Sequence, residues 1–176
     1  LSSLIILRPY EVLNRRRTIK QAQKILADHK DLLVIGITGS YGKTTVKEIL
    51  TSLLATRFQV LTTPASYNTL FGIAGVIKNN LKPEHEIFIV EMGAYKKGEI
   101  AELCGMVKPK IGILTGITNQ HLERFGNLEN VVKAKGELID ALPKDGLAVF
   151  NLYSAPCADL YKKTAINKLG YSRIDK

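Results

Sequence analysis

Gly36-Ile37-Thr38-Gly39-Ser40-Tyr41-Gly42-Lys43-Thr44-Thr45 follows directly on the apolar run Leu32-Leu33-Val34-Ile35 and leads into Val46-Lys47-Glu48-Ile49-Leu50-Thr51-Ser52-Leu53-Leu54. The first run reads as a strand. The last carries Val46, Ile49, Leu50, Leu53 and Leu54 at helical spacing. A strand that empties through a glycine-rich turn into a helix aims backbone N–H groups and the positive end of the helix dipole at one spot. Lys43 adds a mobile charge for β- and γ-phosphates, and the Thr44 hydroxyl suits Mg²⁺. The segment therefore reads as a phosphate-binding loop for a nucleoside triphosphate, with Gly39, Ser40, Tyr41, Gly42, Lys43, Thr44 and Thr45 as candidate nucleotide contacts. It departs from the strict pattern at Ile37, where glycine is usual; the glycines fall at Gly36 and Gly39 instead.

Outward from this loop, strands and helices alternate. Strands are predicted over 32–37, 58–62, 86–91, 110–114, 147–150 and 170–174, and helices over 18–29, 43–55, 69–79, 97–106, 128–141 and 156–168. The apolar strands Ile87-Phe88-Ile89-Val90 and Ile111-Gly112-Ile113-Leu114 suit a sheet covered on both faces. The pattern implies an α/β fold with a doubly wound, mostly parallel sheet, in which ligands bind beyond the carboxyl ends of the strands. Glu91 ends one predicted strand and His121 follows another, which makes Glu91 a candidate Mg²⁺ ligand and His121 a metal ligand or general acid/base. His29 and His85 lie in charged surroundings and read as solvent-facing.

The chain has 176 residues, 45% hydrophobic and 23% charged, enough for one α/β domain with a sizeable core. It begins at Leu1 and is read as a piece of a longer protein: a basic helical leader over 1–30 and an ATP-binding domain over 31–176 that stops before its sheet is finished. Of the net charge of +9, an excess of five falls within residues 1–30. Tyr10 alone interleaves with those cations, so a base-stacking nucleic-acid surface is not expected. Leu1 to Leu7 is too short to cross a bilayer; it reads either as the end of an upstream spanning tether with a positive flank or as part of an amphipathic leader helix. Cys104 and Cys157 lack metal spacing and read as buried or inert thiols.

Five ordered blocks carry a resemblance: 37–45, Ser66-Tyr67-Asn68-Thr69, Val90-Glu91-Met92-Gly93-Ala94 through Gly98-Glu99-Ile100, His121-Leu122-Glu123-Arg124-Phe125-Gly126, and Ala134-Lys135-Gly136-Glu137-Leu138. They resemble the central domain of the Mur ligase family, over about residues 32–174, and within it the MurF-type branch that adds D-alanyl-D-alanine to the UDP-N-acetylmuramoyl-tripeptide of peptidoglycan. The resemblance implies a cytoplasmic ATP-dependent amide ligase, at work in the cytosol or at the inner membrane face, that phosphorylates a carboxylate to an acyl phosphate for attack by an amine. It implies Lys43, His121 and Lys135 in catalysis, Thr44, Glu91 and His121 on Mg²⁺, a carbamylated Lys135, Asn68 toward substrate and Asn151 toward adenine. It also implies further amino- and carboxyl-terminal domains in the same protein, and an isolated piece with little or no activity. Relatives that extend folates with glutamate or build cyanophycin share the loop, and a nucleotide-binding module without ligase activity is the other alternative. Unaided by the resemblance, Lys135 reads as a solvated helix lysine beside Lys133, and Asn68 and Asn151 as ordinary loop and strand-end residues. Gly116, where many members have Asn, and Leu152-Tyr153 after Asn151 depart from the family pattern.

Overall fold

The computed structural model describes residues 2–64, 67–118 and 125–172, with the backbone alone for 2–11. Helix α1 spans Ser2–Asp28 and precedes β1 at Leu33–Thr38 and α2 at Lys43–Leu54. Then come β2 (Val60–Thr62), α3 (Leu70–Asn80), β3 (Ile87–Glu91), α4 (Glu99–Val107) and β4 (Ile111–Leu114). Helix α5 (Leu128–Asp140), β5 (Leu147–Asn151), α6 (Ala155–Lys163) and β6 (Asn167–Tyr171) follow among the described residues. The six strands form one sheet in the order β2-β3-β1-β4-β5-β6, and every pairing is parallel.

Register brings the working ends together. Ile37 pairs with Glu91, Thr38 with Leu114, and Asn151 with Tyr171. β1 is flanked by β3 on one side and β4 on the other, so the winding reverses beside it and opens a crevice above its carboxyl end. The strands nearest that point, β1 and β3, are the most buried, in keeping with their apolar runs Leu33-Val34-Ile35 and Ile87-Phe88-Ile89-Val90. At the edge, β6 (Asn-Lys-Leu-Gly-Tyr) is mostly exposed.

The two sheet faces are covered unequally. One carries a large core in which Phe88, Val90, Leu114 and Phe150 meet residues of α1, α3, α4, α5 and α6. On the other, Ile35, Ile37, Ile87, Ile89 and Ile113 pack with Val46, Leu50 and Leu54 of α2 and with Phe58. The apolar stripe expected on α2 is only partly used: Ile49 and Leu53 are exposed, whereas Lys47 is fully buried.

The largest differences from the sequence reading lie at the start of α1 and around the end of α6. Helix α1 starts at Ser2 rather than near Thr18: no glycine or proline interrupts residues 10–28, and the helix extends back through Pro9 to Ser2. Ile19, Ala22, Ile25 and Leu26 face the core as their spacing predicts, and Arg15, Arg16, Arg17, Lys20 and Lys24 stay exposed. Helix α6 ends at Lys163, and β6 begins at Asn167 within the stretch read as helix and ahead of the predicted strand start at 170. Lys168 explains the stop: its Nζ donates to the carbonyls of Tyr161 (2.9 Å) and Thr164 (2.8 Å), satisfying the end of the helix from the following strand.

Candidate functional site

The loop 39–42 turns above the carboxyl end of β1. Gly42 adopts φ 76°, a left-handed conformation that favours glycine, immediately before α2 starts. The loop is tied to the segment after β4: Ser40 N–H donates to the Gly116 carbonyl (2.7 Å), and the Thr115 hydroxyl donates to the Tyr41 carbonyl (2.5 Å). The Tyr41 ring lies against Gly116 so closely that a β-carbon there would overlap it. In this arrangement a side chain at 116 and the phenol at 41 would compete for one volume.

Lys43 and Thr44 occupy the first turn of α2. Lys43 Nζ donates to the Gly39 carbonyl (3.0 Å), and its pKa is lowered by burial against an opposing pull from Glu91. The Thr44 hydroxyl donates to Glu91 Oε2 at 3.0 Å; Thr45 is exposed. Glu91 is 5% exposed, with its backbone N–H donating to the Thr63 hydroxyl (3.0 Å). After it, the turn is held to β1 by Met92 N–H on the Ile37 carbonyl (2.8 Å) and by the Thr38 hydroxyl on the Met92 carbonyl (2.9 Å). Sequence and structure thus place the Glu91 carboxylate beside the Thr44 hydroxyl through adjacent parallel strands.

These two oxygens fit Mg²⁺. Mg²⁺ bonds to oxygen at roughly 2.0–2.1 Å in an octahedron, so neighbouring ligands stand about 2.9 Å apart. Thr44 Oγ1 and Glu91 Oε2, 3.0 Å apart, have that spacing. Among the described residues no group of three or more His, Cys, Asp or Glu is placed to hold a metal. His121 lies outside the described residues.

A cavity of about 110 Å³ opens beside the loop, lined among others by Gly39, Lys43, Asn68, Tyr95 and Lys135. Asn68 closes one wall: its carbonyl accepts from Gly93 N–H (3.0 Å), and its amide sits 2.8 Å from where a β-carbon on Gly93 would be. Lys135 points into this enclosure from α5 and is 5% exposed, while Lys133, two residues earlier, is exposed and paired with Glu129 (2.6 Å). The structure thus buries Lys135, against the solvated reading that its residues alone allowed. Burial first, and then the Lys43 cation, bring the Lys135 pKa down to about 8, against opposing pulls from Glu99 and Glu137.

On the β5 side, Asn151 uses its amide within the fold: Nδ2 donates to the Thr115 carbonyl (2.7 Å) and Oδ1 accepts from Tyr153 N–H (3.0 Å). His29 and His85 are partly exposed, as the sequence reading of solvent-facing residues expects in part. Both are half-buried and bracket Lys82: His29 Nε2 donates to its carbonyl (2.9 Å), and its N–H donates to His85 Nδ1 (2.9 Å). Cys104 and Cys157 are buried free thiols, Cys104 with a pKa pushed up to about 12 by burial and then by Glu137.

Sequence reasoning missed Lys47 and Glu137. Lys47 Nζ donates to the Thr63 carbonyl (2.8 Å) and pairs with Glu48 Oε1 (3.2 Å) and Glu91 Oε2 (3.7 Å). The available signal was its spacing, three residues after Thr44 and therefore on the same helix face. Glu137 accepts from Gly98 N–H (2.6 Å) and Ala101 N–H (3.0 Å), capping α4 from another helix. It lies two residues from Lys135, so α5 supplies both the buried amine and the clamp on the segment that walls its pocket.

A family model for the Mur ligase middle domain matches residues 37–176. UDP-N-acetylmuramoyl-tripeptide--D-alanyl-D-alanine ligase of Escherichia coli (strain K12) is 36% identical over 118 residues, covering 67% of this chain and 26% of that protein. The crystal structure of MurF ligase from Thermotoga maritima in complex with ADP aligns with a TM-score of 0.84 and 33% identity, over 92% of this chain and 37% of that one. Escherichia coli FolC, in complex with DHPP and ADP, aligns with a TM-score of 0.63 at 14% identity, a likeness of fold alone. The chain spans about a quarter to two fifths of the length of the first two.

Proposed function

Because the chain belongs to the Mur ligase middle-domain family, we propose that it forms the ATP- and Mg²⁺-binding part of a ligase joining D-alanyl-D-alanine to UDP-N-acetylmuramoyl-tripeptide. The carrying observation is the 3.0 Å approach of the Thr44 hydroxyl to Glu91 Oε2 at the mouth of a phosphate-type loop. A lone loop of this kind is common to many nucleotide-binding proteins; the paired carboxylate and the enclosed Lys135 beside it suit acyl-phosphate chemistry.

In this reading Lys43 and the loop backbone bind the β- and γ-phosphates and set the terminal phosphoryl group toward the substrate carboxylate. Thr44 and Glu91 hold Mg²⁺, which supplies positive charge where the transferred phosphoryl group and acyl phosphate develop negative charge. Asn68 meets the substrate and Asn151 the adenine. His121 joins the metal site, an assignment that rests on the resemblance. Lys135 becomes a carbamate: its neutral amine attacks CO₂, an N–C bond forms as one C–O π pair moves to oxygen, and the amine proton passes to solvent. The product carries an anion toward Lys43, the cation that otherwise depresses the Lys135 pKa.

The proposal extends to the rest of the protein and its setting. The UDP-sugar peptide and the incoming dipeptide are held with the help of amino- and carboxyl-terminal domains, in the cytoplasm. The exposed basic side of α1 suits association with anionic lipid at the inner membrane face, which vesicle sedimentation would test. No helix among the described residues is long and apolar enough to cross a membrane.

The test is an assay of the full-length protein with ATP, Mg²⁺, UDP-N-acetylmuramoyl-tripeptide and D-alanyl-D-alanine. Phosphate release that requires both substrates and yields the amide product is expected, with hydroxylamine trapping the acyl phosphate when the dipeptide is withheld. ATP hydrolysis indifferent to the substrates, or glutamate transfer to a folate instead, would overturn the reading.

A further inference from the structure

Lys47 is among the largest fully buried side chains in the described residues, and the mechanism above gives it no part. Removing an ammonium from water costs several kcal/mol, and an apolar residue of similar volume fills a core position at no such cost. The retained charge therefore calls for an explanation at its partners.

Three groups meet Nζ: the Thr63 carbonyl at 2.8 Å, Glu48 Oε1 at 3.2 Å and Glu91 Oε2 at 3.7 Å. Glu48 is nearer than Glu91, but its side chain is 61% exposed, so water screens that pair and can solvate Glu48 without help. The Glu91 side chain is 6% exposed and has no such recourse. Thr63 reinforces the link: its carbonyl takes the lysine proton while its hydroxyl takes the Glu91 backbone proton. Lys47 and Thr44 both reach the same carboxylate atom, Oε2, from successive turns of α2. Such a grip on one oxygen sets the rotation of the carboxylate plane.

We propose that Lys47 is a positioning residue for Glu91, fixing the orientation of the carboxylate that would hold the nucleotide's divalent cation with Thr44. The inference rests on the nucleotide–metal reading above. Groups that orient a metal ligand without touching the metal are typically worth 10- to 100-fold in metal affinity.

The test measures ADP binding to the full-length protein by calorimetry across a Mg²⁺ series, in wild type and Lys47→Met. The variant keeps ADP affinity without metal within about twofold, because the phosphate loop is untouched. The Mg²⁺ concentration that gives half of the metal-dependent gain rises about tenfold or more. Lys47→Arg, which keeps the charge, shifts it less. If Lys47→Met does not fold, Lys47→Gln, which keeps a donor for the Thr63 carbonyl and removes the charge, takes its place. An unchanged Mg²⁺ midpoint overturns the inference. So does an equal loss of metal-free and metal-bound affinity, the mark of general loosening. Absence of any Mg²⁺ effect in wild type overturns the nucleotide–metal reading itself and this inference with it.

Discussion

Lys135 offers a test in which structure sets both the size and the direction of the effect. Its pKa is brought from 10.5 to about 8 by burial and by Lys43. Only the neutral amine attacks CO₂, so the shift raises the reactive fraction at pH 7.5 from about 0.1% to about a quarter, roughly two-hundredfold. Full-length protein equilibrated with ¹³CO₂ at fixed partial pressure should show a carbamate carbon by NMR. The signal should be weak at pH 6, rise through about pH 8 and be absent in Lys135→Arg. The same shift has a stability consequence when CO₂ is excluded. Below about pH 8 the lysine is protonated in both folded and unfolded chains, and the folded state bears the full cost of the buried cation. Between about 8 and 10.5 the unfolded state binds more protons, so stability rises with pH, by about 3 kcal/mol in all. Lys135→Met should lack this rise. A carbamate signal that appears only above pH 10, or that survives Lys135→Arg, would refute the reasoning, as would stability curves of wild type and Lys135→Met that run parallel from pH 7 to 10.5.

Lys43→Ala and Thr44→Ala in the full-length protein should each lower ligation kcat by about a hundredfold or more, with melting temperatures within a few degrees of wild type; activity within a few-fold of wild type would remove the phosphate-loop assignment. Gly116→Asn should displace the outer end of the exposed Tyr41 ring at a cost below about 1 kcal/mol, and Tyr41→Ser should recover most of that loss in the double variant. Denaturant unfolding of the four proteins in that cycle measures the coupling, and additive costs would show that the two positions do not compete. Glu137→Ala should destabilise the fold by about 1–2 kcal/mol and speed hydrogen exchange at Gly98 and Ala101, whose N–H groups it holds; unchanged exchange there would remove its capping role.

What the sequence disclosed and what it hid follow from the range of the interactions involved. The loop from Gly39 to Thr45 and the helix after it are local: turn chemistry, a charge and a period within a few residues, all readable in line. The strands were legible because burial on both faces leaves an apolar run without alternation. The position of Glu91 near the loop was legible because strand ends in parallel sheets converge. The Lys47 position was not, since a lysine between Val46 and Glu48 looks like the polar side of an amphipathic helix until β2 and β3 are placed beside it. Lys133 and Lys135 look alike in line, yet two residues turn a helix by about 200°, so one meets solvent and the other the pocket. The fit of Tyr41 to Gly116 joins residues 75 positions apart, and the end of α6 depends on Lys168 reaching back from the next strand. Both need the assembled sheet.

Three lysines surround Glu91 and the adjoining pocket, and the fold gives each a different electrostatic task. Lys47 is committed to protein partners, the Thr63 carbonyl and two carboxylates, so its charge stabilises Glu91 more than any arriving anion. Lys135 is buried to the point where its proton is held weakly near neutral pH, and losing it relieves repulsion with Lys43. Lys43 remains as the cation whose contact, the Gly39 carbonyl, belongs to the loop that phosphates would engage. One such lysine cannot neutralise a triphosphate, and a carboxylate at the mouth of the loop would repel it. A divalent cation held by Glu91 would offset that repulsion. In the proposed reading, nucleotide and Mg²⁺ would then raise each other's affinity by the same factor. That coupling would weaken if Lys47 no longer held Glu91 in place, and it gives the buried lysine a functional reason to keep its charge.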